Sequence, residues 1–259
     1  MKAPLLSYAI AATLAALAIH TSGAQQQTCG TNAHTETETL KNANCQQAAE
    51  WQAGRTLSKN DVKKIGLEEC FSQHTISDRI FRRIRGKSFK SNCSVPRSDL
   101  RYLHLLHYTI DGKIKTGEMI CHKDVASDLI AIFHKLYDAR YPIERMQLID
   151  DFNADDIASM KHNNTSCFNF RVVAGSKKLS NHSMGKAVDL NPLYNPYVKR
   201  RASGIVKVSP ENARQYSDRT KTFNYKIDKN DLAYRLFTQH GFKWGGNYRT
   251  LKDYQHFEK

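Results

Sequence analysis

Two short stretches of this 259-residue chain carry the residue types that metal-assisted hydrolysis needs. The first is Ser180-Asn181-His182-Ser183-Met184-Gly185-Lys186-Ala187-Val188-Asp189, in which a loop histidine stands seven positions before an aspartate that ends a short hydrophobic run. The second is Asp253-Tyr254-Gln255-His256. Together they supply two imidazoles and two carboxylates, the inventory for three zinc ligands, an open position for water and a carboxylate base. Two neutral imidazoles and one carboxylate leave a divalent ion with about one unit of net positive charge, enough to acidify water and polarise a carbonyl. Spacing alone also fits hydrogen-bonded or surface side chains in a chain with 11 histidines. A serine triad drawn from Ser180, His182, Ser183 and Asp189 lacks the G-x-S-x-G elbow that exposes a nucleophile.

The elements that must position these residues read as follows. Leu100 to Ile110 is strand-like, Asp111-Gly112 is a hairpin turn, and Lys113 to Cys121 is a second strand. A helix follows from about Lys123 to Arg140, with Val125, Leu129, Ile132, Phe133 and Leu136 at helical spacing, ended by Tyr141-Pro142. Met146 to Ile149, Phe168 to Val173 and Ala187 to Leu190 read as strands, and Asp155-Asp156 starts a short helix to about His162. Residues 192–224 form a long basic connection, of a length that is usually functional or mobile. A last helix spans about Asn230 to His240, with Gly241 placed to end it. Phe242 to Trp244 and Tyr254 to Phe257 close the chain as strands. Strands and helices interleave without regular alternation, which predicts an α+β domain with a mainly antiparallel sheet and flanking helices.

The motifs resemble those of the zinc D-Ala-D-Ala carboxypeptidase family, which includes L-alanyl-D-glutamate endopeptidases of bacteria and phages. Ser180 to Asp189 matches S-x-H-x-x-G-x-A-x-D at every fixed position. Trp244-Gly245-Gly246 followed by Asp253-Tyr254-Gln255-His256-Phe257 is similar to the family's W-G-G and closing D-x-x-H-F motifs, and Asn163 to Arg171 is similar to a segment ending in arginine. The resemblance covers roughly residues 97–259 and implies a Hedgehog/DD-peptidase-like fold. It also implies one zinc ion per chain on His182, Asp189 and His256, Asp253 as general base, and Arg171 steadying an oxyanion or a substrate carboxylate. Many relatives carry Glu where this chain has Asp253, so the cleaved bond stays open between D,D-carboxypeptidase and L-Ala-D-Glu endopeptidase types. Ser180 reads equally as a turn serine and as a residue orienting the ligand loop. Gly185 lets that loop bend, and Trp244 packs beneath it, with plain core packing the simpler reading. The remaining histidines considered, His104, His107, His122, His134, His162 and His240, read as structural.

The rest of the sequence bounds where such chemistry operates. Lys2, the apolar run Leu5 to Ile19 and Ser22-Gly23-Ala24 read as a cleaved signal peptide over residues 1–24, so the expected location is periplasmic or secreted, with no membrane span after cleavage. Residues 25–96 read as a basic N-terminal extension of unknown role in which Asp78 caps a helix carrying Ile80, Phe81 and Ile84 on one face, and residues 97–259 as the peptidase domain. Cys29, Cys45, Cys70, Cys93, Cys121 and Cys167 are an even set without a CxxC pair, so disulfides are expected, with free buried thiols the alternative for Cys121 and Cys167, and a cysteine zinc finger is not expected. The formal net charge of +14 fits an anionic cell envelope, with peptidoglycan stem peptides as partners and Lys186, Lys199, Arg200 and Arg201 flanking the cleft, and residue by residue it reads equally as ordinary solubility charge. No nucleic-acid-binding signature accompanies that charge, so nucleic acid is not an expected partner. A non-catalytic envelope-binding module on the same fold is the alternative.

Overall fold

The computed structural model describes residues 51–173, 175–200 and 206–259. The central sheet has four antiparallel strands in the order β1 (Thr56–Leu57), β4 (Ile114–His122), β3 (Leu100–Tyr108), β2 (Ser72–Thr75). The Asp111-Gly112 turn forms where its sequence places it, and β3 and β4 pair in full register from Leu100↔His122 to Tyr108↔Ile114. The register puts Leu103, Leu105 and Met119 on one face and Tyr102, His104 and Glu118 on the other. The first face lies towards the long helix Lys123–Asp138, as its contacts show: Ser127 bonds Gln73, and His134 stacks on Phe71.

The expected domain start at residue 97 falls inside one compact unit, Ala49–Lys259. Residues 51–96 provide two strands of the central sheet, and Trp51, Phe71, Ile80, Ile84 and Val95 enter the same core as Phe133, Phe237 and Phe257. Ser77, rather than Asp78, caps the helix Asp78–Ile84, accepting from the Ile80 N–H, and Ile80 and Ile84 are its buried positions. Arg83 on this helix is more than a solvated charge. Arg83 forms a bidentate pair with the buried Glu118 carboxylate at 2.8 and 2.6 Å, and Glu118 also accepts from Tyr102 Oη at 2.5 Å.

Two smaller antiparallel sheets follow. One has the order β5 (Ala187–Asp189), β10 (His256–Glu258), β8 (Lys243–Trp244), and the other β7 (Val206–Ser209), β6 (Tyr197–Arg200), β9 (Lys252–Asp253). Mixed helix and antiparallel sheet make the fold α+β, as the sequence predicts. The 192–224 connection therefore holds a hairpin, and Glu211–Tyr216 adds a 3-10 turn. Two expected strands differ. Met146 to Ile149 is an extended edge that reaches β4 through one bond, Glu118 N–H to Met146 O at 3.1 Å, and turns into 3-10 geometry at Ile149. Phe168 to Val173 changes partner at each residue: Phe168 donates to Ile120 O, Asn169 to His182 O and Phe170 to Ser88 O, so no ladder forms.

Cys70, Cys93, Cys121 and Cys167 are free thiols, against the expected disulfides. Burial pushes the Cys70 thiol up to about 11, the state of inert packing groups. Cys29, Cys45, the signal segment and Arg201 lie outside the described residues. No helix among the described residues is long and apolar enough to cross a membrane.

Candidate metal centre

The site is built on the β5–β10 pair. In the antiparallel register Asp189 stands directly opposite His256, and Val188 opposite Phe257. Side chains alternate along β10, so Phe257 goes to the core, stacked on Phe237 at 4.3 Å, while His256 and Glu258 share the other face. The aromatic anchor fixes the height at which His256 meets Asp189.

His182 arrives from the 3-10 turn Asn181–Met184 that precedes β5. Ser180 caps this turn, its hydroxyl accepting the His182 N–H at 3.3 Å. Gly185 ends it in the left-handed region at φ 65°, and its carbonyl accepts the His122 N–H at 2.9 Å, tying the turn to the start of the long helix. A Cβ on Gly185 would lie 2.7 Å from His122 N and 3.1 Å from the Cys121 carbonyl carbon, so glycine is demanded by both conformation and space. The Cys167 carbonyl holds His182 Nδ1 at 2.6 Å and leaves Nε2 facing the other two groups.

Three donor atoms converge. His182 Nε2 lies 3.3 Å from Asp189 Oδ1 and 3.2 Å from His256 Nδ1, and His256 Nδ1 lies 3.1 Å from Asp189 Oδ1. Zinc bonds of about 2.0–2.1 Å in a tetrahedron require ligand atoms about 3.3 Å apart. The three separations match that triangle. Behind it, His256 Nε2 is held by the Glu258 carboxylate at 3.1 Å, the carboxylate–histidine arrangement that orients metal-binding imidazoles.

The electrostatics also call for a cation. Burial disfavours the His256 imidazolium, but its bonds to Asp189 and Glu258 and the charges of Asp189 and Asp253 outweigh this and lift it to about 10. Burial pushes Asp189 up, yet the charge and hydrogen bond of His182, with those of His256, carry it well below the usual carboxylate range. Asp253 goes the other way: burial first, and then the negative charge of Asp189, raise its carboxyl to about 6 against the opposing pull of the two histidines. Its Oδ1 is shielded from water and is one of the few buried side-chain atoms without a hydrogen-bond partner among the described residues. An unpartnered acceptor beside a three-ligand triangle suits a proton donor such as a hydrolytic water. On donor set, spacing and orphaned acceptor, these residues fit zinc.

Gly245 explains how Asp253 and His256 come so near. A Cβ there would fall 2.5 Å from Asp253 O, 2.9 Å from Asp253 Cβ and 3.2 Å from His256 Cβ. Trp244 is buried, donates Nε1–H to Tyr254 O at 2.8 Å and meets Tyr234 edge-on, so core packing is its observed role. Arg171 lies next to the ligand turn through its backbone, whose N–H donates to Ser183 Oγ at 2.8 Å, while its guanidinium pairs with Asp156. Of the basic residues expected at the cleft, Lys186 pairs with Asp124 at 2.8 Å. Two supporting groups escape sequence reading. Glu258 stands two positions after His256, the same-face offset of a strand, which is a usable signal, whereas Cys167 acts through its carbonyl and leaves none.

Residues 174–259 match the family model described as D-alanyl-D-alanine carboxypeptidase. This supports the resemblance seen in the motifs and, in general terms, a peptidoglycan-related metallopeptidase. The matched segment contains His182, Asp189, Asp253 and His256 and begins after Arg171. Cell-wall peptidases of this family suggest an extracellular or periplasmic protein. No curated protein and no solved structure matches the chain.

Proposed function

We propose that the protein is a secreted zinc peptidase that hydrolyses peptide bonds of peptidoglycan stem peptides. The observation that carries this reading is the His182–Asp189–His256 triangle with the unpartnered Asp253 oxygen beside it, inside the matched segment. His182, Asp189 and His256 would hold a zinc ion, which would supply Lewis-acid polarisation of the scissile carbonyl and acidification of a water near neutral pH. Asp253 takes the proton of the attacking water at Oδ1 and passes it to the leaving amine, the general acid–base role of a carboxyl raised towards the working pH. Gly245 keeps that carboxylate against the ligand strand. Glu258 and the Cys167 carbonyl hold the two imidazoles in the orientation that presents His256 Nδ1 and His182 Nε2. Arg171, placed by Asp156, offers a fixed fork of donors for charge growing on the carbonyl oxygen or for a substrate carboxylate. The cationic surface keeps the enzyme close to the anionic envelope.

The test is mass spectrometry of purified muropeptides incubated with the protein and zinc, with chelator, and with the Asp253→Asn and His256→Ala variants. A defined fragment should be released with zinc and lost with chelator. Asp253→Asn should keep its zinc and lose hydrolysis, and His256→Ala should lose both. Full activity in Asp253→Asn would remove the assigned base, and no cleavage by zinc-loaded wild type would favour an envelope-binding module.

A further inference from the structure

We propose that Glu69, His74 and His104 form a second site for a divalent transition metal of the zinc class, separate from the centre on His182, Asp189 and His256. Strand pairing creates the cluster. Ser72 faces His104 and His74 faces Tyr102 across the β2–β3 ladder, so Ser72, His74 and His104 share one face, with the two histidines diagonal to each other. Glu69 comes from the short helix Leu67–Cys70 just before β2. Its Oε1 lies 3.1 Å from His104 Nδ1 and 4.0 Å from His74 Nε2. Ser72 Oγ stands between the rings, 2.8 Å from His74 Nε2 and 3.4 Å from His104 Nδ1.

The cluster combines a fixed ligand with adjustable ones. The His104 ring is stacked on Trp51 at 4.3 Å and 11° and met edge-on by Tyr102, and its side chain is 2% exposed. Glu69 and His74 side chains are 43% and 34% exposed, which opens one side of the cluster to an entering ion. Tetrahedral zinc needs donor atoms about 3.3 Å apart. The Glu69–His104 separation already meets this. The Glu69–His74 gap closes through rotation of two half-exposed side chains. Two imidazoles and a carboxylate are the same donor set as in the other centre and suit zinc, nickel or copper over calcium or magnesium. A bound ion would join edge strand β2 and the Leu67–Cys70 helix to β3, clamping part of the N-terminal region to the central sheet.

The experiment is metal analysis of the full chain after dialysis against micromolar zinc at pH 7.5, with a thermal melt of each sample. Wild type should hold two zinc ions per chain, His74→Ala one, His256→Ala one, and the double variant none. Glu69→Gln, nearly isosteric on an exposed side chain, should also fall to one, which guards against a folding defect in His74→Ala. Zinc should raise the melting temperature of His256→Ala, whose remaining site is the proposed one, and leave the double variant unmoved. A single zinc in wild type that His74→Ala retains would reduce the cluster to hydrogen bonds through Ser72 and overturn the proposal. The His256→Ala sample reports on the first centre separately, so failure of either site is recognised on its own.

Discussion

Replacing Gly185 with alanine tests how the ligand turn is held. Two costs add. The left-handed conformation at φ 65° costs a non-glycine residue about 1–2 kcal/mol. The new Cβ would sit 2.7 Å from His122 N, against backbone that must shift, an overpacking cost of about 1–3 kcal/mol. Gly112 supplies the control. It has φ 77° in the β3–β4 turn and nothing within 4 Å of a built Cβ, so Gly112→Ala isolates the conformational cost. The entropy that alanine removes from the unfolded chain is common to both variants and cancels in their difference. Urea or thermal unfolding with chelator present, so that metal linkage does not enter, should give a loss of about 1 kcal/mol for Gly112→Ala and about 3 kcal/mol for Gly185→Ala. For a unit of this size that is about 2–4 °C against about 6–12 °C. Equal losses in the two variants would refute the claim that the turn is pressed against the helix start.

Gly245→Ala should abolish zinc binding at the His182 centre while the central sheet stays folded, because its Cβ enters the space of Asp253 and His256; metal analysis beside circular dichroism checks this. Among the four described cysteines, iodoacetamide at pH 8 with peptide mapping should label Cys93 first and leave Cys70, Cys121 and Cys167 unmodified until denaturant is added, since Cys93 is partly exposed and the other three are buried. Asp231 caps the helix Leu232–Gln239, and burial raises its carboxyl despite bonds from the Ala233 and Tyr234 N–H groups and Tyr141. A carboxyl raised on folding is favoured in its protonated form. Its relative stability is therefore full below the ordinary value of about 3.9 and lost as pH rises through the folded value. Asp231→Asn removes this dependence, so wild type should gain stability relative to the variant on moving from pH 7 towards pH 4, measured by urea unfolding at each pH.

Much of the scaffold was legible because its signals are local. The Asp111-Gly112 turn, the alternation around it and the helical spacing of Val125, Leu129, Ile132 and Leu136 each need only a short window of sequence. Residues 51–96 resisted because their partners are remote: Trp51 donates Nε1–H to Gly117 O, and β2 finds its place only through β3. The same remoteness hid His104, which reads as a lone structural histidine until the ladder sets it beside His74. Lysines and arginines masked the β6–β7 hairpin, since its register is written in backbone bonds rather than in apolar alternation. At the candidate metal centre, motif spacing alone left His182, Asp189 and His256 open between ligands and ordinary polar side chains, and the family resemblance singled out the three that the fold brings together; the glycine at 185 was readable as the bend of the loop. The Arg171–Asp156 pair was not, because nothing in either segment marks the other.

The opposition of Asp189 and His256 across β5 and β10 reaches beyond chemistry. A slip of one residue would bring Val188 or Leu190 to His256 and turn the imidazole away, so only the native alignment assembles the triangle. An ion that binds only that alignment stabilises it by mass action, about 2.7 kcal/mol at a hundredfold excess over its dissociation constant. The Leu190 amide, bonded to Gln255 O at 3.0 Å, should then exchange its hydrogen about a hundredfold more slowly when zinc is present. The metal would thus proofread strand alignment, and a chain whose last strand had settled out of step would be left open to proteolysis.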